Sequence, residues 1–402
     1  MTENCYDQLN LDSSLVQTQL QDLSESGDYL YDFVASTWSL ICEPGDTIAG
    51  FLRKQLGSIE ALVQVVSGTS SKTLIDMLPS NDFQNQNLQH VLDSSLEVWR
   101  SRALQADVFR SLDILRHLGG KLITPKSGHW PEQLNDLEHG TPAALWVLGD
   151  IAALIKTQDS VAVVGSRIVS DYGKQVTKDI VAALVKRGKA IVSGGAVGVD
   201  ALAHEQALQL GTKTVAVMAG GLDRLYPSQN FELFQRIQKS GLLISEVAPG
   251  VSPTKWRFLQ RNRLIAALSQ ATVVVEAGVR SGTINTVGHA NEIGRPVGAI
   301  PGPITSVRSS GCHELIKAGK AQLISLPRDL DDLFGEADYF EKQIKSLSAW
   351  EIRALDSIGN SIMAIEEIAK IGGLSRFEAE MALAKLARHG LVTLTSNGWT
   401  KC

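Results

Sequence analysis

Residues 160–193 read SVAVVGSRIVSDYGKQVTKDIVAALVKRGKAIVS, which is a short β-branched run, a longer helical stretch and a second β-branched run. Both short runs are apolar throughout, which is typical of strands covered on both faces of a sheet. The segment between them has the length and the apolar spacing of a helix. A strand, a helix and a strand in this order form a βαβ unit, and its two strands lie parallel in one sheet.

The same alternation continues along the chain to about residue 300. Further short apolar runs occur in KTVAVMAGG, GLLISEV, ATVVVEAG and RPVGAIPG, and VDALAHEQALQLG, NFELFQRIQKSG and INTVGHANEIG are among the helical stretches between them. Successive βαβ units with right-handed crossovers build a doubly wound sheet. The sequence therefore predicts an α/β fold with a doubly wound parallel sheet.

The regions that flank this alternation have other patterns. The start of the chain is polar, the next region has helical spacing without strand alternation, and an acidic stretch follows the core. The last region shows three helical stretches and a hairpin with its turn at Asn397-Gly398, the order of a winged helix. We expect a disordered leader, a helical N-terminal domain, a core, a linker and a winged-helix-like domain, with the bounds 1–28, 29–118, 119–333, 334–345 and 346–402.

Composition and charge limit the class of protein. The chain has 402 residues and a formal net charge of −5, but residues 161–330 hold 20 Lys+Arg against 11 Asp+Glu. A basic core in an acidic chain favours an anionic partner. The four widely spaced cysteines predict reduced thiols rather than disulfides or a zinc site. An acidic start and the lack of a long apolar run predict a cytoplasmic protein that does not enter a membrane.

Glycine turns with polar or basic residues follow several predicted strands. Gly165, Ser166 and Arg167 follow the first strand, Gly194 and Gly195 the second, and Arg280 and Ser281 the fifth. Ligands of open parallel sheets bind beyond such strand ends, so the turns together favour a phosphate-lined groove. Each turn by itself is also explained by the positive φ that glycine tolerates. Neither a dinucleotide fingerprint nor a P-loop nor a catalytic set is evident, so we expect no cofactor, no metal and no catalytic residue.

Residues 255–263 read KWRFLQRNR and put four cations and two aromatic residues directly before the apolar run LIAAL. In a helix that starts near Trp256, Arg257 and Arg261 share a face and Phe258 lies close to both. Arginine beside an aromatic ring suits a backbone phosphate and a stacked base. The alternative is an arginine cluster that internal carboxylates neutralise, for which the candidates are Glu246, Glu276 and Asp200.

Taken in order, the motifs VAVVGSR, VSGGAVGVDALAH, AVMAGGLDRLYPSQN, FLQRNRLIAALS, VVVEAGVRSGT and SGCHELIKAG resemble those of the DNA-processing protein A (DprA, or Smf) family. The match covers about residues 161–325. The resemblance implies an extended Rossmann-like core that binds single-stranded DNA, with a sterile-alpha-motif-like N-terminal domain. It also implies a homodimer that protects incoming DNA and loads the RecA recombinase in natural transformation and recombination.

The resemblance and the cation cluster together give the expected DNA-binding residues, which are Gly165, Ser166, Arg167, Gly194, Gly195, Lys255, Arg257, Phe258, Arg261, Asn262, Arg263, Arg280 and Ser281. Two positions depart from the family pattern, since Val197 replaces the usual arginine and Leu259 the usual proline. A competing hypothesis is an enzyme that resembles the lysine-decarboxylase-like phosphoribohydrolases and acts on a nucleoside monophosphate. EAGVRSGTINT only faintly echoes the PGGxGTxxE signature of those enzymes. A third hypothesis makes the winged helix the main reader of DNA.

Overall fold

The structure is a computed structural model that describes residues 6–79, 86–335, 347–359, 362–388, 391–395 and 398–401. The chain forms two compact units, Met1–Leu333 and Phe334–Cys402. No helix in the described ranges is both long enough and apolar enough to span a bilayer.

A nine-stranded sheet lies at the centre of the first unit. Its strands are β1 Lys121–Ile123, β2 Leu145–Gly149, β3 Ser160–Val164, β4 Ala190–Ser193, β5 Thr214–Met218, β6 Leu242–Ser245, β7 Ala271–Val274, β8 Val297–Ala299 and β9 Gln322–Leu323. They lie in the order β1-β2-β6-β5-β4-β3-β7-β8-β9, and all pairs from β6 to β9 are parallel. The predicted α/β class and the mostly parallel sheet are confirmed.

Helices cover both faces of this sheet. In β5, Val215 and Val217 belong to one hydrophobic cluster, whereas Ala216 and Met218 belong to another. Because successive residues of a strand point to opposite faces, both faces are buried. The α-helices of the unit that lie wholly within the described ranges are Ser13–Leu20, Tyr29–Ile41, Thr47–Leu56, Ser58–Val66, Ser71–Met77, Gln86–Ala103, Val108–His117, Ala152–Ile155, Asp171–Lys186, Val199–Gln209, Phe231–Ser240, Lys255–Ala267, Gly282–Glu292, Ser310–Lys317 and Leu330–Leu333. Shorter 3₁₀ segments are Glu132–Gly140, Lys156–Asp159, Ser228–Asn230 and Pro327–Asp329.

The winding of the sheet reverses at β3. The chain passes from β3 to β6 in one direction, and then returns across the sheet to place β7 on the other side of β3. The helix Lys255–Ala267, called here the site helix, lies in this return connection. Two neighbouring strands whose connections leave in opposite directions open a crevice at their carboxyl ends, where ligands of such folds bind. The position of the reversal therefore directs attention to the ends of β3 and β7.

One edge of the sheet was not predicted. The strand β2 lies in the apolar run AALWVLGD, and its Trp146 pairs with Ser245 in an antiparallel ladder against β6. The strand β1 then pairs with β2, again antiparallel. The run has the apolar character of a buried strand, but its antiparallel pairing depends on a strand about a hundred residues away. Local sequence therefore does not indicate the antiparallel pairing of this edge.

The start of the chain is ordered where the structure describes it. Asp12 caps the helix Ser13–Leu20, and Val16, Leu20 and Leu23 are buried in the core of the unit. The prediction of a disordered leader over 1–28 is therefore wrong for residues 6–28, and residues 1–5 lie outside the described ranges. Apolar side chains spaced three and four apart supply the buried face, although the surrounding residues are polar.

The second unit is a small helical domain with a hairpin. Its described elements are the helices Ala349–Ser357, Ile365–Gly372 and Arg376–Arg388 and the antiparallel strands β10 Val392–Thr395 and β11 Gly398–Lys401. Leu383 and Leu386 of the longest helix are fully buried in its own hydrophobic cluster. Asn397 of the predicted turn, and most of the predicted linker, lie outside the described ranges.

Candidate nucleic-acid interface

A groove with a volume of about 550 Å³ opens at the carboxyl ends of β3 and β7. Its walls are the loop after β3, the start of the helix Gly282–Glu292 and one side of the site helix. The groove therefore occupies the crevice at which doubly wound sheets bind ligands. The predicted site residues that line it are Gly165, Ser166, Arg167, Phe258, Arg261, Asn262 and Ser281.

Two arginines at the groove are free to meet an anion. Arg167 and Arg308 line the groove, and both are exposed. Neither side chain has an ion pair or hydrogen bond in the part of the chain that the structure describes. Arg308 was not predicted, because it lies in an irregular segment ahead of the motif SGCHELIKAG. The excess of cations in residues 161–330 was the signal that further arginines would be available.

Arg261 lies beneath the groove and supports its floor. Its side chain is buried, and Nη1 donates to the carbonyl oxygen of Gly194 at 2.5 Å and to that of Val217. Burial lowers the pKa of Arg261 to about 10. The nearby charge of Arg167 also lowers this pKa, whereas the charge of Asp200 raises it. The guanidinium group stays protonated at neutral pH. Its main contacts join the end of β4 to β5, so its role in the free protein is structural.

Asp200 is the carboxylate that compensates Arg261. It is buried, and it accepts a hydrogen bond from the backbone nitrogen of Gly194 at 3.2 Å. Burial raises the pKa of Asp200, whereas the charge of Arg261 and hydrogen bonds from the backbone lower it. A Cβ atom on Gly194 would lie 2.4 Å from Nη1 of Arg261, so only glycine permits this close approach. The expected internal pairing of arginines with carboxylates therefore applies to Arg261.

Arg257 and Arg263 point away from the groove. Arg257 makes a bidentate ion pair with Glu43, with Nε–Oε2 at 2.9 Å and Nη2–Oε1 at 3.0 Å. Nη2 of Arg263 donates to both carboxylate oxygens of Glu246, at 2.6 and 2.5 Å, and this pair is nearly fully buried. The expectation that these two arginines share one groove with Arg261 is wrong. Each holds a carboxylate, because successive residues of the site helix face different neighbours.

Three polar residues on the walls fix the shape of the groove. Asn262 donates from Nδ2 to Oδ1 of Asn285 at 3.1 Å, which ties the site helix to the opposite wall. Ser281 caps the helix Gly282–Glu292. Oγ of Ser166 donates to the carbonyl oxygen of Ile168 at 2.8 Å, so this hydroxyl group stabilises its own loop.

The remaining predicted residues do not line the groove. Lys255 and Arg280 are exposed beyond it. Gly195 has a φ of +63°, and its carbonyl oxygen accepts a hydrogen bond from Nδ2 of Asn230 at 2.9 Å. Gly194 and Gly195 therefore shape the end of β4 and present no open backbone to the groove.

A carboxylate lies at the start of the helix that follows the loop after β3. Ser170 caps the helix Asp171–Lys186, and Glu276 accepts hydrogen bonds from the backbone nitrogen of Ser170 at 3.0 Å and from its Oγ at 2.5 Å. The positive end of the helix dipole is thereby compensated inside the protein. The interpretation of Glu276 as the partner of an arginine is wrong.

The groove also offers apolar and aromatic surface. The Phe258 ring meets Tyr226 edge-to-face, with 5.5 Å between the ring centroids, and Cζ of Arg261 lies 5.8 Å from its centroid. Ile168, Leu259 and Val307 line the same groove and are strongly exposed. Aromatic and apolar walls beside free guanidinium groups suit a ligand that has both flat rings and negative charge.

Comparisons with known proteins agree with this chemistry. The family model for DNA recombination-mediator protein A matches residues 121–336. A protein of Mycobacterium tuberculosis that is named as a DNA processing protein DprA is 39% identical over 306 residues, which are 72% of this chain and 78% of the relative.

Two solved structures are also similar. The X-ray structure of DNA processing protein A from Streptococcus pneumoniae is 30% identical, with a TM-score of 0.58, over 75% of this chain and 96% of the other. The protein of the same name from Helicobacter pylori, whose description concerns its single-stranded DNA binding mode, is 32% identical, with a TM-score of 0.49, over 54% of this chain and 95% of the other.

Proposed function

Because this chain belongs to the DNA recombination-mediator protein A family, we propose that its groove binds single-stranded DNA. The resemblance seen in the motifs is confirmed at the level of the family. The family consists of DNA-binding recombination mediators rather than enzymes, which agrees with the prediction of a binding protein and disfavours the phosphoribohydrolase hypothesis.

The observation that carries the proposal is the pair of free arginines in a groove with an aromatic wall. Arg167 and Arg308 would neutralise phosphates, and Phe258 would stack a base. Bases of a single strand have open faces, whereas those of a duplex are stacked on one another. A stacking wall inside a concave groove therefore favours the single strand.

The dependence of affinity on salt tests this assignment. For single strands, the logarithm of the association constant falls with the logarithm of salt concentration by about 0.7 for each phosphate neutralised. We expect Arg167→Ala and Arg308→Ala each to lower this slope by about 0.7 and to weaken binding. The matched control is Arg236→Ala, which removes an exposed arginine that lines neither this groove nor any other described cleft. If both groove variants keep the wild-type salt slope, the groove is not the site that binds DNA.

We further propose that the DNA-bound protein protects the strand and delivers the RecA recombinase onto it as a homodimer. This proposal rests on membership of the family and on the groove. The test is the rate at which RecA filaments form on an oligonucleotide, with wild type and with Arg167→Ala/Arg308→Ala. If the double variant supports RecA loading as well as wild type does, RecA delivery does not depend on the groove. The mass of the protein in solution tests the dimer.

A further inference from the structure

A second cleft lies beside the site helix, and it is separate from the groove. Its volume is about 460 Å³, and it is lined by the helical region, the loop after β5 and the segment that precedes the site helix. We call it the arginine cleft, because Arg102, Arg110, Arg224 and Arg257 line it.

Protein acceptors hold three of these guanidinium groups in place. Glu43 binds Arg257 and also accepts from Nη2 of Arg102 at 3.0 Å. Nη1 of Arg224 donates to Oγ of Ser252 at 2.9 Å. A guanidinium group has five N–H donors, so each of these arginines keeps donors for a ligand. Fixed forks of N–H donors match the oxygens of a phosphate.

Arg110 is the free cation of the arginine cleft. Its side chain is exposed and makes no ion pair or hydrogen bond with any residue that the structure describes. Among the residues that the structure describes, the carboxylates that line the cleft or pair with its arginines are Glu43, Asp107 and Asp223. Four cations against three carboxylates leave an excess of positive charge, which an anionic ligand would balance.

Two chain segments connect the arginine cleft to the groove. In the site helix, Arg257 lines the cleft and the next residue, Phe258, lines the groove. In the loop after β5, Arg224 lines the cleft and Tyr226 touches the Phe258 ring. The two openings are therefore neighbours across the first turn of the site helix. That turn begins with exposed residues, among them Trp256, which is 55% exposed.

We propose that the arginine cleft binds phosphates of the same single DNA strand, which passes from the groove across the first turn of the site helix. The proposal rests on the groove being a single-strand site. Lys255 and Trp256 lie on the path and would meet a phosphate and a base. The strand then has a continuous series of cations, first in the groove, then at Lys255 and finally in the cleft.

Two lengths of DNA test the proposal. An oligonucleotide of about 5 nucleotides fits the groove alone, whereas one of about 20 nucleotides also reaches the arginine cleft. We expect Arg110→Ala/Arg224→Ala to weaken binding of the long strand about tenfold and to lower its salt slope by about 1.4. Binding of the short strand should not change. Arg110→Lys/Arg224→Lys, which keeps both charges, should retain most of the affinity, and Arg236→Ala is the control.

The outcomes separate this proposal from the one on which it rests. If wild type does not bind the short strand, the groove assignment fails, and the long strand then tests the cleft alone. Equal long-strand affinity of wild type and Arg110→Ala/Arg224→Ala overturns the arginine cleft as a DNA site. The proposal is also overturned if Arg110→Ala/Arg224→Ala loses the ability to bind an acidic peptide but keeps wild-type affinity for the long DNA strand. Matching melting temperatures confirm that the variants are folded.

Discussion

Arg261 combines a charge, a buried position and two carbonyl acceptors under the groove. At this scale, the type of residue does not decide its function. Arg167 has the same side chain, but it is exposed and has no partner within the described ranges. Arg261 stabilises the site, and Arg167 is available to a ligand.

Replacement of Arg261 should therefore act on stability before it acts on DNA. Arg261→Ala leaves Asp200 buried without its compensating charge, which costs about 3–5 kcal/mol for buried pairs. Arg167→Ala is the control and should change the free energy of unfolding by less than about 0.5 kcal/mol. Urea unfolding measures both. Wild-type stability of Arg261→Ala would contradict the structural role.

His204 is a buried histidine that should make stability depend on pH. Its Nδ1 lies 2.7 Å from Oγ1 of Thr214, whose own proton goes to the carbonyl oxygen of Ile191 at 3.0 Å. Nδ1 therefore carries the proton of a neutral ring. Burial lowers the pKa of His204 to about 3.

The sign of the effect follows from linkage. The unfolded chain takes up a proton near pH 6.5 and the folded protein does not, so stability is lost as pH falls from 6.5 toward 3. Between pH 7 and pH 5, we expect His204 to account for a loss of about 2 kcal/mol. His204→Gln should remove that part of the pH dependence. Equal losses in wild type and variant would contradict the prediction.

At the scale of elements, the loop after β3 depends on a glycine at the start of the helix Val199–Gln209, which follows β4. Gly198 has a φ of +95°, and a Cβ atom there would lie 2.2 Å from the carbonyl oxygen of Ser166. The backbone nitrogen of Val199 donates to the same oxygen at 3.2 Å. The loop that carries Arg167 is therefore seated on the helix Val199–Gln209.

Gly198→Ala should displace this loop and strain the backbone. We expect a loss of about 1–3 kcal/mol in the free energy of unfolding and weaker binding of single-stranded DNA. The matched control is Gly288→Ala, within the exposed side of a helix, where a Cβ atom meets nothing within 4 Å. That control should gain about 0.5–1 kcal/mol. Thermal unfolding and a binding titration would decide, and wild-type behaviour of Gly198→Ala would contradict the role of the close contact.

The site helix shows what an element decides that its sequence does not. Local spacing predicted a helix that starts near Trp256, and the helix begins at Lys255. The sequence named Glu246 and Asp200 among the candidate carboxylates, and they compensate Arg263 and Arg261. The partner of Arg257 could not be predicted, because Glu43 lies 214 residues before it. The orientation of the helix sends Arg257 and Arg263 to carboxylates and leaves Phe258 and Asn262 in the groove.

At the scale of the whole molecule, the second unit provides a test of where DNA binds. Both clefts belong to the first unit, and residues 341–402 hold 8 Lys+Arg against 7 Asp+Glu, so no excess charge draws DNA there. A chain that ends at Leu333 should bind single-stranded DNA with an affinity within about threefold of wild type. Gel shifts of the two chains measure this. Loss of binding, in a truncated chain that remains folded, would favour the winged-helix hypothesis.

The sequence by itself determined the α/β class, the six central parallel strands, the family and the glycine turns at the groove. These features are local, since strand and helix periodicities and motif order need no knowledge of distant contacts. It also located the site helix and the exposed Arg167. Its interpretation of the first residues failed, because three buried apolar side chains are enough to order a polar segment.

Only the tertiary structure decided which cations are available to a ligand. A buried guanidinium group needs acceptors and a compensating carboxylate, and these come from residues far apart in the chain. The fold supplies them to Arg257, Arg261 and Arg263, and it leaves Arg167 and Arg308 free at the reversal point of the sheet. The antiparallel edge and the arginine cleft also depend on contacts between distant segments, and for the same reason no local pattern indicates them.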